Sequence, residues 1–320
     1  MSEVPMGSRD DVLAGGGTGG TTSSPMAFPI PAEELGAVSI VPNGSFEAGS
    51  YQTFVLTYVA GKFGIDDSGS MRVCFRFASD QTRPQFEDPK GPNYTTIEAS
   101  NNAVLTYHYD PKGNVRPWDR TLYIKVVRGF LREGDKITIT FGDRSGGSPG
   151  MRLQTFCEDS YEFHTLIDPI ATYCYQPMPV QPVIKIIPGK PDRYLAVAPT
   201  IRAIDESFSI KFKGEDKWGN PSDQCDIKLY PRASHPVKNL PDMISLKPGE
   251  FFGVIDGLSV ADAADLHIDF LDDAGALMCR TNPIRIESAP LSRHFWGDLH
   301  GQSEETIGTG SAEAYFAFAR

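Results

Sequence analysis

Short runs of β-branched and aromatic residues, punctuated by glycine and proline, limit what this chain can fold into more than any other feature. Thr53–Val59, Met71–Phe77, Ala103–Tyr109, Thr121–Val127 and Lys136–Phe141 are such runs. The chain spreads 31 glycines and 25 prolines between runs of this kind. That pattern predicts many short strands joined by turns, not long helices. Met71–Phe77 alternates large apolar with polar or charged side chains, which predicts a strand with one wet face. Gly134-Asp135 supplies a turn into Lys136–Phe141. Residues 36–181 are therefore expected to form an antiparallel β-sandwich.

Pro182, Pro188 and Pro191 mark a boundary, and a second β-module is expected over 182–290. Phe208–Lys213 alternates cleanly and runs into Asp216-Lys217-Trp218-Gly219-Asn220-Pro221. A strand ending in this way resembles the hairpins of bacterial immunoglobulin-like modules, which implies an immunoglobulin-like second sandwich. Phe251–Ile255, Leu266–Leu271 and Asn282–Ile286 are its further strands, with Asp272–Gly275 as a turn. Residues 1–35 are expected to be a disordered low-complexity tail. Their run Gly15–Gly20 lacks both the Gly-Lys-Ser/Thr ending and the preceding strand of a phosphate-binding loop.

The chain's 320 residues suit two or three domains. A formal charge of −11, with lysine and arginine scattered, argues against a nucleic-acid partner. No apolar stretch approaches the roughly 20 residues that span a bilayer, and no secretory signal is legible, so a cytoplasmic location and no membrane partner are expected. The five cysteines (Cys74, Cys157, Cys174, Cys225, Cys279) are far apart without a CxxC pair, which predicts buried reduced thiols.

The chemistry-bearing segment is Arg293–Ser303. Read as a strand, it places Trp296, Asp298 and His300 on one face and Leu299 on the other. A carboxylate and an imidazole two residues apart on one face can serve the same metal, and such donors suit zinc, manganese or iron. Gln302 lies one step further along. The period then changes: Ser311 can cap a helix, Glu313 sits in its first turn, and Ala312, Tyr315, Phe316 and Ala319 recur on one face. Strand, loop, helix is the unit of a parallel β/α barrel, whose catalytic residues sit at strand C-terminal ends.

The stretch Phe295–Glu313 closely resembles a bacterial family catalogued as a domain of unknown function, itself similar to the PHP (polymerase and histidinol phosphatase) metal-dependent hydrolases. The resemblance implies that His300 matches the first histidine of a His-x-His pair and Asp298 the preceding acidic position. Gln302 stands where the second histidine would be, and could instead hold a water or a substrate oxygen. Glu304 is a further substrate or water contact, and Glu305 a candidate beside it. The resemblance further implies a divalent metal held only in a complete barrel and a small phosphate ester as substrate. Residues 291–320 would then be the first strand and helix of an incomplete barrel, poorly held, and the chain alone would show no turnover. The other reading is a tandem β-sandwich module that binds a glycan or a protein without catalysis.

Gly146–Gly150 fits a nucleophile-elbow pattern, but Pro149 and the strand-like Met151–Phe156 predict a turn. His164 has Glu158, Asp159 and Glu162 nearby in sequence. His108, His235 and His267 stand alone. Asp66-Asp67-Ser68-Gly69 lacks the distant glutamate of a calcium loop. Trp118 and Trp218 are expected to pack into their sandwiches, with a sugar-binding face as the other possibility.

Overall fold

A computed structural model of the chain describes residues 30–290, 292, 301–303, 305 and 311–319. The fold is mainly β, built from several antiparallel sheets. It divides into two compact units. One holds the chain up to Asp192 together with Glu215–Gln224, and the other holds Arg193–Gly214 and the chain from Cys225 onward.

The first unit is a sandwich. One sheet runs in the order Gly36–Val41, Phe54–Ala60, Lys136–Phe141, Thr95–Ala99. The other runs Gln176–Pro177, His164–Asp168, Ser70–Phe75, Arg120–Arg128, Val104–Asp110. Every pairing within these two sheets is antiparallel. Phe54–Ala60 alternates buried and half-buried positions along its whole length, as the period of two requires. Its Phe54, Leu56 and Tyr58 share one core with Met71, Val73, Phe75, Leu122 and Ile124 of the facing sheet. Phe163 is fully buried there, with ring centroids 5.4–5.7 Å from those of Phe54, Phe75, Phe141 and Tyr161. Tyr58 is buried as well. Its hydroxyl donates to Leu35 O at 2.8 Å, and burial pushes the phenol up to about 12.

Two features depart from a plain antiparallel sandwich. Val183–Ile187 pairs antiparallel with Glu158–Glu162 and parallel with Ser45–Glu47, so this strand beyond Pro182 belongs to the first unit. Residues 30–35, which composition alone joins to the tail, are fastened to it too. Ile30 exchanges two hydrogen bonds with the Gln176 side chain, and Leu35 is buried.

The wet face expected of Met71–Phe77 is corrected. In the strand Ser70–Phe75 the core-facing Met71, Val73 and Phe75 are buried as expected, but Cys74 on the other face is buried too. Arg72, also on that face, is only half-exposed. Tyr175 lies over the Arg72 guanidinium at 3.7 Å, Tyr123 flanks it at 5.7 Å, and Asn114 reaches both Arg72 and Cys74. Loop residues distant in sequence cover that face, which alternation within the strand cannot reveal.

The second unit has its own core, centred on Ile210, Phe212, Leu229, Ile268 and Phe270. Its sheets run Arg193–Val197, Phe208–Glu215, Gly253–Leu258, and Ile244–Leu246, Ile227–Ala233, Ile268–Leu271, Leu277–Arg280. A third pairs Ile284–Glu287 parallel with Ile201–Ala203 and antiparallel with Ala264–Leu266. Asp272 closes the expected turn by accepting N–H bonds from Ala274 and Ala276.

The hairpin end Glu215–Gln224 clusters with the first unit, and Asp216 organises it. The buried Asp216 carboxylate accepts bonds from the N–H groups of Gly189, Trp218 and Asn220 and from the Asn220 side chain. Asn220 in turn binds Cys157 N–H and Thr155 O. Trp218 does not enter a core: it is 42% exposed, with Nε1 donating to Ala48 O at 3.0 Å.

The helix Ala312–Ala319 forms where helical spacing places it. Ser311 caps it, its hydroxyl accepting Ala314 N–H at 3.1 Å. Phe316 is exposed, and Tyr315 sits so close to Gly301 that a Cβ there would fall 2.0 Å from its ring.

Candidate ligand-binding groove

Among the described residues, an opening lies in the first unit, between the segment 82–92 and the edge strand Val104–Asp110. It is an open groove of about 890 Å³, lined among others by Arg83, Phe86, Asp88, Tyr107, His108 and Tyr109. That volume falls within the range of about 300–1,000 Å³ found for small-ligand sites.

One wall is a loop held by its own polar groups. Gln85 Oε1 accepts the N–H groups of Glu87 and Asp88, and its Nε2 donates to Asp88 O. Asn93, fully buried at a positive φ of 52°, donates from its side chain to Thr82 O at 2.7 Å and from its N–H to Gly150 O. The Gln85 backbone bridges to the following segment, its N–H donating to Asn93 O and its carbonyl accepting Thr95 N–H. A loop fixed in this way loses little entropy when a ligand arrives.

The other wall is the edge strand. Among the described residues it pairs only with Arg120–Arg128, from Val104↔Arg128 to Asp110↔Thr121, and ends its sheet. Four of its seven residues are exposed, among them Tyr107 and His108. Phe86 reaches across from the loop to Tyr107, with ring centroids 4.8 Å apart. Burial raises the pKa of the Tyr109 phenol, with Arg120 and Arg83 acting against it, so the phenol stays a hydrogen-bond donor at neutral pH. The groove thus offers apolar ring faces beside hydroxyl, imidazole, guanidinium and carboxylate groups, a lining suited to holding a ligand.

The strand is legible in the sequence, but the groove is not. The signal available was Phe86 in a polar stretch bracketed by Pro84 and Pro92. Nothing local says that this stretch lies beside Tyr107.

The residues singled out from sequence fare differently. Asp298, His300 and Glu304 lie outside the described residues. Gln302 and Glu305 are exposed. Among the described residues, no group of three His, Cys, Asp or Glu side chains is placed to hold a metal ion. The carboxylates near His164 are dispersed. Glu162 bonds its ring at 2.6 Å, whereas Glu158 pairs with Arg76 and Asp159 with Lys185. Trp118 stacks flat on His164 at 4.7 Å. Gly146–Gly150 is the expected turn, with Ser148 buried and its hydroxyl accepting Gly150 N–H. Asp66 closes its own turn through Asp67 N–H and Gly69 N–H. The expectation of buried thiols is corrected. Cys74 and Cys225 are buried, Cys174 and Cys279 are half-buried, and Cys157 is exposed because its loop lies at the surface.

No helix among the described residues is long and apolar enough to cross a membrane. No protein-family model matches the chain, and neither does any curated protein. Solved structures similar to it include the Yersinia pseudotuberculosis adhesin InvE, at 9% identity and a TM-score of 0.23 over 79% of this chain and 58% of that one. Red sea bream transglutaminase is similar at 11% identity and a TM-score of 0.21, over 79% of this chain and 31% of that one. The collagen adhesin of S. aureus is similar at 8% identity and a TM-score of 0.19, over 79% of this chain and 96% of that one. The chain therefore spans 58% and 31% of the first two, and TM-scores of this size carry no argument about function.

Proposed function

We propose that the β-rich part of this chain is a binding module without catalysis, and that its ligand occupies the groove between residues 82–92 and Val104–Asp110. The observation that carries this reading is a fixed loop facing an edge strand across a ligand-sized opening, with Phe86 and Tyr107 as its aromatic floor. The likeness of the 208–221 hairpin to immunoglobulin-like modules fits the same reading. The test is binding of the chain to arrayed glycans and to immobilised polypeptides, with Phe86→Ala and Tyr107→Ala in parallel. Saturable binding that both substitutions weaken supports the proposal. Binding that neither substitution changes, or no binding in either class, overturns it.

A second reading rests on a different observation: the Asp298-x-His300 motif is followed by a capped helix at Ala312–Ala319, the order expected of a barrel unit. On this reading the whole protein is a metal-dependent hydrolase resembling the PHP enzymes. A carboxylate and an imidazole are donor types that suit zinc, manganese or iron, ions that polarise an ester oxygen and lower the pKa of a bound water. Elemental analysis decides it, on this chain and on any longer, extended native form of the protein. Stoichiometric metal, lost in Asp298→Ala and His300→Ala, supports the hydrolase. A folded extended chain without metal overturns it.

A further inference from the structure

We infer that the groove's ligand is an extended segment of another polypeptide, uncharged or basic, with apolar side chains at alternate positions, which adds as a strand to Val104–Asp110. This rests on the binding reading above and names its ligand class.

The direction of the backbone groups fixes which amides of the edge strand are open. On the neighbouring strand, Val126 donates to Gly69 O at 3.0 Å and its carbonyl accepts Ser68 N–H at 2.9 Å, both on the side away from the edge strand. Backbone direction alternates along a strand. Lys125, Tyr123 and Thr121 therefore turn theirs toward the edge strand, where their register partners are Thr106, His108 and Asp110. The N–H and C=O groups of Leu105, Tyr107 and Tyr109 consequently point outward. None of them has a hydrogen-bond partner among the described residues. Their spacing, about 6.8 Å for every second residue, is that of an incoming strand.

The side chains of the same three residues lie on the inner face, opposite the buried Val126, Ile124 and Leu122. An added strand would lay alternate side chains over Phe86, Tyr107 and Tyr109, so main-chain bonds supply affinity and the aromatic floor supplies selectivity.

Exposed edges are ordinarily blunted by lysine, proline, bulges or short length. From Leu105 to Asp110 there is no lysine, proline or bulge, and the one register shift lies at the end, between Val104 and Leu105. The opposite edge of the same sheet is the two-residue strand Gln176–Pro177, which is both short and proline-bearing. Charge selects the occupant. A second copy would bring a formal −11 against −11, which opposes self-association, whereas a neutral or basic segment meets no such cost.

The test uses the full chain and a fluorescein-labelled synthetic peptide. The peptide alternates threonine with phenylalanine or valine and is flanked by lysines. Two further forms carry N-methyl groups on alternate amides, one form in each register. The parent peptide is expected to bind saturably, one methylated form to bind like the parent, and the other to lose about tenfold or more in affinity, because only one register of amides faces the edge. Tyr107→Pro, which removes an outward N–H, should weaken the parent by a similar factor. If that variant does not fold, the methylated peptides on the unaltered chain still decide. Equal behaviour of both methylated forms overturns the inference. Failure of the peptide alongside glycan binding that depends on Phe86 and Tyr107 overturns it while leaving the binding module standing. No ligand of either class defeats both. Sedimentation showing a dimer that Tyr107→Pro disperses makes a second copy the occupant and overturns the inference.

Discussion

The rings of Phe86 and Tyr107 meet at 4.8 Å with their planes at 55°, tying a loop to a strand that otherwise ends its sheet. Phe86 is half-buried against the first core, and Tyr107 is 37% exposed. Phe86→Ala is therefore expected to cost about 1–3 kcal/mol of stability, from lost burial and the ring contact. Tyr107→Ala should cost less, since it gives up less buried area. Urea denaturation checks this, and unchanged midpoints in both variants would mean that the rings do not pack in solution.

Phe163 sits among four other aromatic rings and is fully buried. Phe163→Ala is expected to destabilise the first unit by about 3–5 kcal/mol, the sum of lost transfer energy and a cavity. Phe163→Leu should cost clearly less. The readout is a lower denaturation midpoint with an unchanged slope. A loss below about 1 kcal/mol for the alanine variant would contradict the packing.

Asp216 gives a signed pH prediction. Burial raises its pKa, but the bonds from the Asn220 side chain and from the N–H groups of Gly189, Asn220 and Trp218 more than offset it, so the folded value is lowered. A carboxyl whose folded pKa lies below its unfolded one contributes stability that is complete above the unfolded pKa. That contribution is lost as pH falls through the folded pKa. Asp216→Asn, which puts an amide where N–H groups converge, should cost about 1–3 kcal/mol at pH 7. The gap between variant and parent should shrink on acidification below the carboxylate range. A gap that stays constant as pH falls from 7 to well below the usual carboxylate value would refute this role for the carboxylate.

Cys157 is exposed, yet its thiol is expected to be sluggish. Partial burial of the group, with the carboxylates of Asp216, Asp223 and Asp159 beside it, pushes its pKa up to about 11. The thiolate is the reactive form, so alkylation at pH 8 should run roughly a hundredfold slower than for an ordinary cysteine. Asp223→Asn should speed it. Labelling kinetics followed by mass spectrometry test both statements, and a rate matching that of a free thiol would show the electrostatic account to be wrong.

Strand identity was legible in the sequence because it depends on local chemistry. Lys136–Phe141 forms with the expected bounds, and Phe54–Ala60 and Val104–Asp110 form within one residue of theirs. The turn at Asp272 and the Ser311 helix cap were legible for the same reason, since each is closed within a few residues. Sequence also singled out Asp298 and His300 as candidate donors by their types and spacing.

Only the tertiary structure decided which strand faces are covered and which strands end a sheet. Arg72 looked solvent-facing by alternation, but Tyr175, more than a hundred residues away in sequence, lies over it. The groove has the same origin. The stretch around Phe86 and the strand around Tyr107 carry no mutual signal in the sequence. Their proximity follows from long-range strand pairing and from the Asn93 and Gln85 bonds that hold the loop. Local patterns report on backbone period and turn chemistry. Coverage and edges depend on how distant segments pack, and a period of two is the same for a strand in mid-sheet and for one left open.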